Sequence, residues 1–386
     1  MRMERRPYPS FRLAAAKMIP YFVVLFVSGA SAALAFRTPD KRNSTLFSLV
    51  AILAPCLLAA FRDPTVGVDV LTYAEPSFYS AISRNIWEYI ASSDNEPLFS
   101  LLAYVSANVF QSSFVYYFLI ELLVVAPVYK AIKDNCPRSL RFLAWLVFYF
   151  TLFGFSFNLM RQSIAVAILL AGFSYLSKKS YFKYCLVVIV ACGFHYSSLM
   201  GFVVLALYVL FDSKKLSLLK KIVCAMAFIL MLVFAVDLIN FALPFKSSYS
   251  YQLHHMVGAE PWDVFQGIIE RLIIFFPLFC MVFLNYGRLK DTVSHFDFCL
   301  MVIFAYVVLY QLGTISSQLF RLSLVFYALL ILVIPLLIDG LNSRIDRSVY
   351  SIVIAAFLFS YFIYFMNTNG QVVPYTSDVL GISSLT

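Results

Sequence analysis

Two arginines at the starts of apolar segments are the residues in this chain best suited to chemistry. Arg161 follows "FNLM" and precedes "QSIAVAILLAG", and Arg321 lies in the first or second turn of the helix predicted for "SSQLFRLSLVFYALLILVIP". A guanidinium stays charged when it is buried, so each needs a fixed carboxylate or an anionic ligand. The first turn of a helix also attracts anions, through its free N–H groups and its dipole. The pair therefore predicts a divided phosphate site, with Gln162 beside it.

The residues before each arginine support this interpretation. Asn158 is a good candidate N-cap for the first helix, and Ser316 or Ser317 for the second. An arginine in an opening turn is repelled by the helix dipole unless something negative shares the site, and a phosphate fits its planar fork. Two alternatives stay open: snorkelling to the membrane interface, and a pair with Asp or Glu from another helix.

A histidine in "CGFHYSS" is the candidate proton acceptor. In its neutral form His195 could take a proton from a sugar hydroxyl near pH 7, the role of a general base. The alternative is a histidine that hydrogen-bonds the backbone of its own bend. In that case Asp69 is the next candidate base, if its loop proves to lie on the outer side of the membrane.

Further polar residues are weaker candidates for substrate binding. Arg62, Asp69 and Tyr73 surround the Gly67 turn in "FRDPTVGVDVLTY", which could hold a sugar. Arg271 follows Glu270, and local pairing explains it as well as a ligand does.

No metal or cofactor is predicted. His254 and His255 are adjacent but lack a third ligand of the kind that metal sites require. The seven cysteines include no CxxC pair.

The elements that must position these residues are membrane helices. The chain has 386 residues, of which 62% are hydrophobic and 13% charged, and its mean hydropathy is +0.85. No soluble domain could bury this much apolar surface. Apolar runs long enough to cross a bilayer recur throughout, which predicts an all-α polytopic protein with about 12–13 transmembrane helices. The net charge of +9 lies in short loops, so nucleic-acid binding is not expected.

The apolar run 181–211 has an unusual length. At 1.5 Å per residue it is about 46 Å long, too long for one span and short for two. Basic residues flank both of its ends, which puts both ends in the cytoplasm. The run is therefore predicted to be a short hairpin that bends at Gly193, with His195 in the bend.

Basic loops set the predicted orientation of the rest. They put segments 155–161, 192–197, 242–264 and 312–321 and the tail 367–386 outside, in one integral domain spanning 1–386. The side of the loop 62–96 stays open. Counting every apolar run as a crossing puts it inside. It lies outside only if 97–112 dips in and returns, or if another run is not a span.

Three stretches resemble the signatures of the EpsG-like family of bacterial Wzy-type polysaccharide polymerases. They are "FRDPTVGVDVLTY", "FNLMRQSIAVAILLAGFSYLSKKSYFKYCLVVIVACGFHYSSLM" and "SSQLFRLSLVFYALLILVIP", and the end "VVPYTSDVL" is similar to the family's outer tail. The central one, an N-x-x-R-Q helix start followed by a basic loop and F-H-x-S-[SA], is the most specific. The resemblance covers residues from about 60 to about 380.

The resemblance implies an activity. Such polymerases join undecaprenyl-diphosphate-linked repeat units, as donor and acceptor, into O-antigen or exopolysaccharide at the outer face of the inner membrane. Arg161 and Arg321 would hold the diphosphate and His195 would take the acceptor's proton, without a metal. A chain-length regulator and a flippase are the expected protein partners, alongside membrane lipid. A flippase for the same lipid-linked unit and an O-antigen ligase remain alternatives.

Overall fold

The computed structural model describes residues 17–212, 261–313, 317–368 and 370–383, with single positions between 217 and 227. Within these ranges the regular structure is helical, apart from one isolated bridge between Ser377 and Ile382. The all-α class predicted from composition is confirmed.

Eleven α-helices make up the part of the chain described before residue 213. They are α1 (Ile19–Arg37), α2 (Lys41–Ala60), α3 (Glu75–Ala81), α4 (Ile86–Ser92), α5 (Pro97–Val105), α6 (Ser113–Asn135), α7 (Arg141–Phe150), α8 (Leu152–Ser156), α9 (Met160–Ser177), α10 (Tyr181–Cys192) and α11 (Met200–Asp212). Short π-helical segments, Val70–Ala74 and Ser106–Phe110, precede α3 and extend α5, and single 3-10 turns occupy Arg138–Leu140 and Tyr196–Leu199.

Five further helices are described from residue 261 onward. They are α12 (Pro261–Leu284), α13 (Tyr286–Thr292), α14 (Phe296–Leu312), α15 (Ser317–Asp339) and α16 (Arg344–Thr368). The most buried of the long helices is α15, which runs through the centre of the bundle and packs on α14, α7 and α9. Its exposed turns are few because it is apolar around its whole circumference.

Seven helical segments in the described ranges are long and apolar enough to cross a membrane, or eight if the bent pair Leu272–Leu284 and Tyr286–Thr292 is one span. This confirms a polytopic membrane protein. The described count is lower than the predicted 12–13 because the runs 97–112, 181–211 and 296–312 form shorter helices. The predicted run 219–241 and most of the loop 242–264 lie outside the described residues.

The run 181–211 forms the predicted hairpin of two short helices. After Cys192 the chain turns at Gly193 and re-enters a helix through the 3-10 turn. The carbonyl of Gly193 accepts a hydrogen bond from the backbone N–H of Leu98 at 2.8 Å, and a Cβ on this glycine would lie 2.6 Å from the Leu98 side chain. The close approach of α5 therefore explains why a glycine occupies the bend.

Two ends of the bundle differ in their residues. One end, called here the site face, contains the loop 61–96, the helix start 157–162, the bend 193–199 and the tail 370–383. The other end, the basic face, contains the α1–α2 and α6–α7 connections, where Arg138 donates to the carbonyls of Phe36 and Arg37. The positive loops thus collect at the end opposite the site.

The tail joins the start of the chain to the site face. Tyr21 donates to the carbonyl of Val372 at 2.6 Å, and Tyr375 donates to the carbonyl of Leu58 at 2.8 Å. Asp63 and Thr376 are joined by a backbone hydrogen bond of 3.0 Å. The tail is therefore folded against the ends of α1 and α2 and against the loop that follows α2.

The position of α5 shows on which face of the bundle the loop 62–96 lies. It begins after Glu96 at the site face, and Asn108, near the end of its π-helical extension, donates to the carbonyl of Ala81 at 2.9 Å. Gln111, at φ +51°, then reverses the chain into α6. Segment 97–110 is thus one continuous helical segment whose two ends both lie at the site face, so this run does not cross the bundle. The loop 62–96 shares one face with Arg161 and His195.

Candidate functional site

A pocket with about 340 Å³ of empty space opens at the site face, where the two arginine-bearing helices begin. It is lined by Asp69, Tyr73, Phe99, Asn158, Leu159, Met160, Arg161, Gln162, His195 and Arg321. Seven of these are residues that the sequence proposed for the site. They come from four segments far apart in the chain: the loop after α2, the start of α9, the hairpin bend and the start of α15.

Two other predicted residues are not part of this lining. Arg62 lies behind the pocket, in the protein interior, with 4% of its surface exposed. Arg271 is on α12, and its side chain lies outside the described part of the structure, as do His254 and His255.

Arg161 has a fixed partner that the sequence did not predict. Its Nη1 atom donates to Oε2 of Glu96 at 2.7 Å, and Glu96 is nearly completely buried. The guanidinium also lies over the rings of Tyr73 and Phe99, 5.0 and 5.9 Å from their centres. Because a guanidinium has five N–H donors, this pairing orients the group and leaves donors for a ligand.

The carboxylate of Glu96 links Arg161 to the hairpin bend. Its other oxygen, Oε1, accepts from the backbone N–H of Tyr196 at 3.4 Å. The signal in the sequence was a carboxylate directly before a proline-initiated helix, in "SDNEPLF", within the loop whose side could not be assigned. The residue could be recognised only once that loop was placed on the site face.

Gln162 joins the three segments that surround the pocket. Its Nε2 donates to the hydroxyl of Ser197 at 3.1 Å and to the backbone carbonyl of Arg321. The side chain is buried, so these bonds fix the start of α9 against the bend and against α15. Its Oε1 atom, however, is buried and has no partner among the described residues.

Asn158 presents a second unpaired oxygen. Its Oδ1 atom is buried without a described hydrogen-bond partner, and the side chain lies against Gly67 and Gly370. A buried acceptor without a donor is costly, so both amide oxygens suit a ligand that brings hydroxyl or N–H donors. The predicted side-chain N-cap is not formed, because α9 begins at Met160 with Leu159 at the cap position.

Arg321 differs from Arg161 in its surroundings. It is partly buried, and no carboxylate among the described residues lies within ion-pair distance of its guanidinium. Its helix begins at Ser317, one of the two predicted caps, while Ser316 lies outside the described residues. Of the two predicted anion-binding groups, Arg321 is therefore the one without an ion-pair partner among the described residues.

His195 has a defined orientation in the bend. The backbone N–H of Ser197 donates to its Nδ1 atom at 3.1 Å, so in the neutral ring the proton is on Nε2. Burial of the ring lowers the pKa of His195, and the nearby guanidinium groups of Arg161 and Arg321 lower it further. The residue thus presents an N–H donor, and to accept a proton it would first have to lose the bond from Ser197.

Asp69 is held at the edge of the pocket by the tail. The backbone N–H groups of Gly67 and Val68 donate to the carbonyls of Gln371 and Gly370, each at 3.1 Å. Gly67 has φ +100°, and a Cβ there would lie 2.5 Å from the carbonyl oxygen of Phe157. Partial burial raises the pKa of Asp69 above its ordinary value, while Arg321 and Arg161 oppose this shift.

Arg62 supports the site from behind. Its Nη1 donates to the carbonyl of Phe157 at 3.1 Å and Nη2 contacts the sulfur of Met160 at 3.2 Å. The group lies between the rings of Tyr117 and Phe157, 5.0 and 4.9 Å from their centres. It therefore fixes the backbone just before Arg161, instead of touching a ligand in this pocket.

Together these observations define a multi-pass helical membrane protein with a small polar pocket, rich in arginine, at one end of its bundle. The model of the EpsG family matches residues 45–377, and the chain belongs to that family. The match covers every described lining residue of the pocket. Searches of curated proteins and of solved structures found no match.

Proposed function

We propose that this protein is a polysaccharide polymerase that joins oligosaccharide repeat units carried on a lipid diphosphate. The membership of the EpsG family and the polytopic helical fold fit a membrane polysaccharide polymerase. The observation that carries the proposal is the convergence of two helix-start arginines, Arg161 and Arg321, on one pocket with amide and carboxylate groups. The carrier is undecaprenyl diphosphate in this proposal, and the product is O-antigen or exopolysaccharide of the Wzy-dependent type.

The arginines would bind the diphosphate and stabilise it as it leaves. A hydroxyl of the acceptor sugar attacks the anomeric carbon of the donor unit, and the bond from that carbon to the diphosphate oxygen breaks. Negative charge then develops on the departing group, where donors fixed in a water-poor site stabilise it most. Arg321 supplies a guanidinium that has no ion-pair partner among the described residues, Arg161 supplies oriented N–H groups, and Nε2–H of His195 supplies a further donor. The transfer needs no metal ion in this scheme, and one direct displacement inverts the anomeric configuration.

The unpaired amide oxygens would bind the sugar. Asn158 Oδ1 and Gln162 Oε1 lack donors in the described structure, and sugar hydroxyls would provide them. Tyr73 adds a ring at the mouth of the pocket, a surface on which sugars can pack. The pocket is small, so it holds the reacting ends and leaves the rest of the glycan outside.

The proposed location is the bacterial inner membrane, with the site face outside the cell's cytoplasm. The basic face carries Arg138, Arg288 and Arg347, and such loops remain in the cytoplasm. A flippase and a chain-length regulator are the proposed protein partners. Single cysteines at Asp69 or Tyr196 should react with an impermeant thiol reagent in cells with a permeabilised outer membrane. Labelling only after the inner membrane is opened would reverse the orientation.

The rival function is transport of the same lipid-linked unit. A transporter would also bind diphosphate, but internal repeats are typical of such proteins and the sequence has none. A ligase, which transfers finished glycan to another acceptor, shares the chemistry and differs only in its acceptor.

The decisive experiment uses purified protein in proteoliposomes with lipid-linked oligosaccharide extracted from cells that lack this protein. We expect a ladder of lipid-linked chains that differ by one repeat unit, together with release of undecaprenyl diphosphate. Movement of the unit across the bilayer without a ladder would favour the flippase. Transfer to lipid A core, with no ladder, would favour the ligase.

A further inference from the structure

The lining of the pocket contains one carboxylate, and it is not used by any interaction described so far. Among the lining residues the charged groups are Asp69, Arg161 and Arg321. Arg161 already has Glu96 as its partner, at 2.7 Å. In the described structure Asp69 has no side-chain hydrogen bond or ion pair, although its backbone is held in place by the tail.

Such a carboxylate would not be expected in a site that only binds a diphosphate. A negative charge beside the two arginines lowers the affinity for an anion, because like charges repel in a partly buried site. The fixed backbone directly before it, at Gly67 and Val68, indicates that the position of Asp69 is defined and not incidental. A group that loses its negative charge during the reaction removes this conflict.

The geometry points to Asp69 as the general base that takes the proton from the acceptor hydroxyl, with His195 acting as a fixed Nε2–H donor. This inference rests on the proposed function. It follows from the hydrogen bond that Ser197 donates to Nδ1 of His195, because that bond leaves the histidine without a free acceptor nitrogen. Asp69 is then the lining group with free lone pairs and enough basicity to accept a proton.

The step is balanced. The acceptor oxygen forms a bond to the donor's anomeric carbon, its proton goes to a carboxylate oxygen of Asp69, and the diphosphate leaves with the electron pair of the broken C–O bond. Neutral Asp69 no longer offsets the arginines, so the positive charge facing the diphosphate increases as the leaving group becomes more negative. The proton then passes from Asp69 to water once product has left.

The inference predicts a specific dependence of kcat/KM on pH. The charged groups that face Asp69 are Arg161 on α9 and Arg321 on α15, with Glu96 compensating Arg161; His195 faces it as a neutral ring. Partial burial raises the pKa of Asp69 above its ordinary value. A base must be deprotonated to act, so kcat/KM should fall as the pH is lowered through this raised pKa.

The test compares Asp69→Asn with Asp63→Asn in the proteoliposome assay. Asp63 lies in the same loop, outside the pocket lining, and its Oδ1 accepts from the backbone N–H of Asp378. We expect Asp69→Asn to slow chain extension by roughly 10²–10⁴-fold and to remove the acidic limb of the pH profile. Undecaprenyl diphosphate should bind this variant at least as tightly as it binds wild type. Asp63→Asn should stay within about threefold of wild type and keep the limb, since it changes no group that contacts substrate.

A third variant tests whether His195, and not Asp69, is the general base. His195→Gln retains an N–H donor but has no basicity, so it should keep the acidic limb with a smaller loss of rate. If His195→Gln loses the limb while Asp69→Asn keeps it, the histidine is the base and the inference is overturned. Near-normal extension by Asp69→Asn also overturns it, while leaving the proposed polymerase intact. If wild-type protein makes no ladder, the proposed function fails and the inference fails with it.

Discussion

The starts of α9 and α15 look alike in sequence, yet the protein surrounds their arginines differently. At the start of α9, Arg161 is paired with Glu96, covered by aromatic rings and fixed from behind by Arg62. At the start of α15, Arg321 faces the same pocket without a carboxylate partner among the described residues. One arginine is held by the fold and the other is available to a ligand. Similar sequences at two helix starts therefore do not imply similar surroundings for the arginines that they contain.

This difference bears on one of the alternatives to a phosphate site, the pairing of an arginine with a carboxylate from another segment. For Arg161, the pair with a carboxylate from another segment is present, and it does not exclude a ligand because the pocket still reaches the side chain. For Arg321, no such pair occurs in the described structure, so an anionic ligand stays a prediction there. The comparison predicts that substitutions at Arg321 mainly reduce chain extension. Substitutions of the residues that hold Arg161 should mainly reduce the stability of the fold.

The largest effect on activity is expected from Arg321→Gln. Loss of this guanidinium, which has no ion-pair partner in the described structure, should reduce chain extension by roughly 10²–10³-fold. The temperature of unfolding in detergent should change little. Arg321→Lys should recover only part of the loss, since it keeps the charge and loses the planar fork. The matched control is Arg344→Gln, an exposed arginine at the start of α16 on the basic face. If both glutamine variants lose activity equally, the effect is not due to the pocket.

The next largest effect is on stability, from Glu96→Gln. Breaking a buried pair leaves a charge without compensation and costs about 3 kcal/mol of unfolding free energy. The expected result is a clear decrease in the unfolding temperature, which the double change Glu96→Gln with Arg161→Gln partly restores. Glu88→Gln, an exposed carboxylate in the same loop, should leave the temperature unchanged. Additive losses from the two single changes would mean that the observed contact stabilises nothing.

The sequence predicted much of the fold and the main site residues, for identifiable reasons. The long apolar runs and the basic loops are local signals, and they predicted the class and the hairpin at Gly193. Arg161, in the first turn of α9, and Arg321, in the second turn of α15, are also local signals, because each is a lone arginine at the start of an apolar run. Glu96 was missed because its role depends on α5 starting and ending at one face, and apolar length alone does not distinguish such a segment from a span.

Arg62 illustrates the opposite limit. Its position in the loop "FRDPTVGVDV" favoured a contact with substrate, and the structure puts it in the interior against Phe157 and Met160. A guanidinium can support a backbone turn or bind a ligand, and the sequence contains the same letters in either case. Only the packing of Tyr117 and Phe157 around the group distinguishes these roles.

A smaller effect is expected from Gly67→Ala, which changes the support of the site without changing its chemistry. The residue has φ +100°, and the new Cβ would meet the carbonyl oxygen of Phe157 at 2.5 Å. Strain of this kind costs on the order of 1–3 kcal/mol and should displace Asp69 from the pocket. Both the unfolding temperature and chain extension should decrease. Gly287→Ala on α13 is the control, because nothing lies within 4 Å of its added Cβ and the helix favours alanine. Equal results for the two would contradict a tightly packed support.

The smallest effect is expected from Tyr73, whose ring lies 5.0 Å from the guanidinium carbon of Arg161. A cation–π contact at a partly exposed site contributes about 0.5–1 kcal/mol, so Tyr73→Leu should weaken binding of undecaprenyl diphosphate by about two- to fivefold. Tyr73→Phe keeps the ring and should bind like wild type. Because Glu96 already fixes Arg161, removing one of its aromatic neighbours leaves the guanidinium in place. A loss for Tyr73→Leu as large as that for Arg321→Gln would mean that the ring, and not Glu96, holds the arginine. The contrast between the two helix starts would then have to be abandoned.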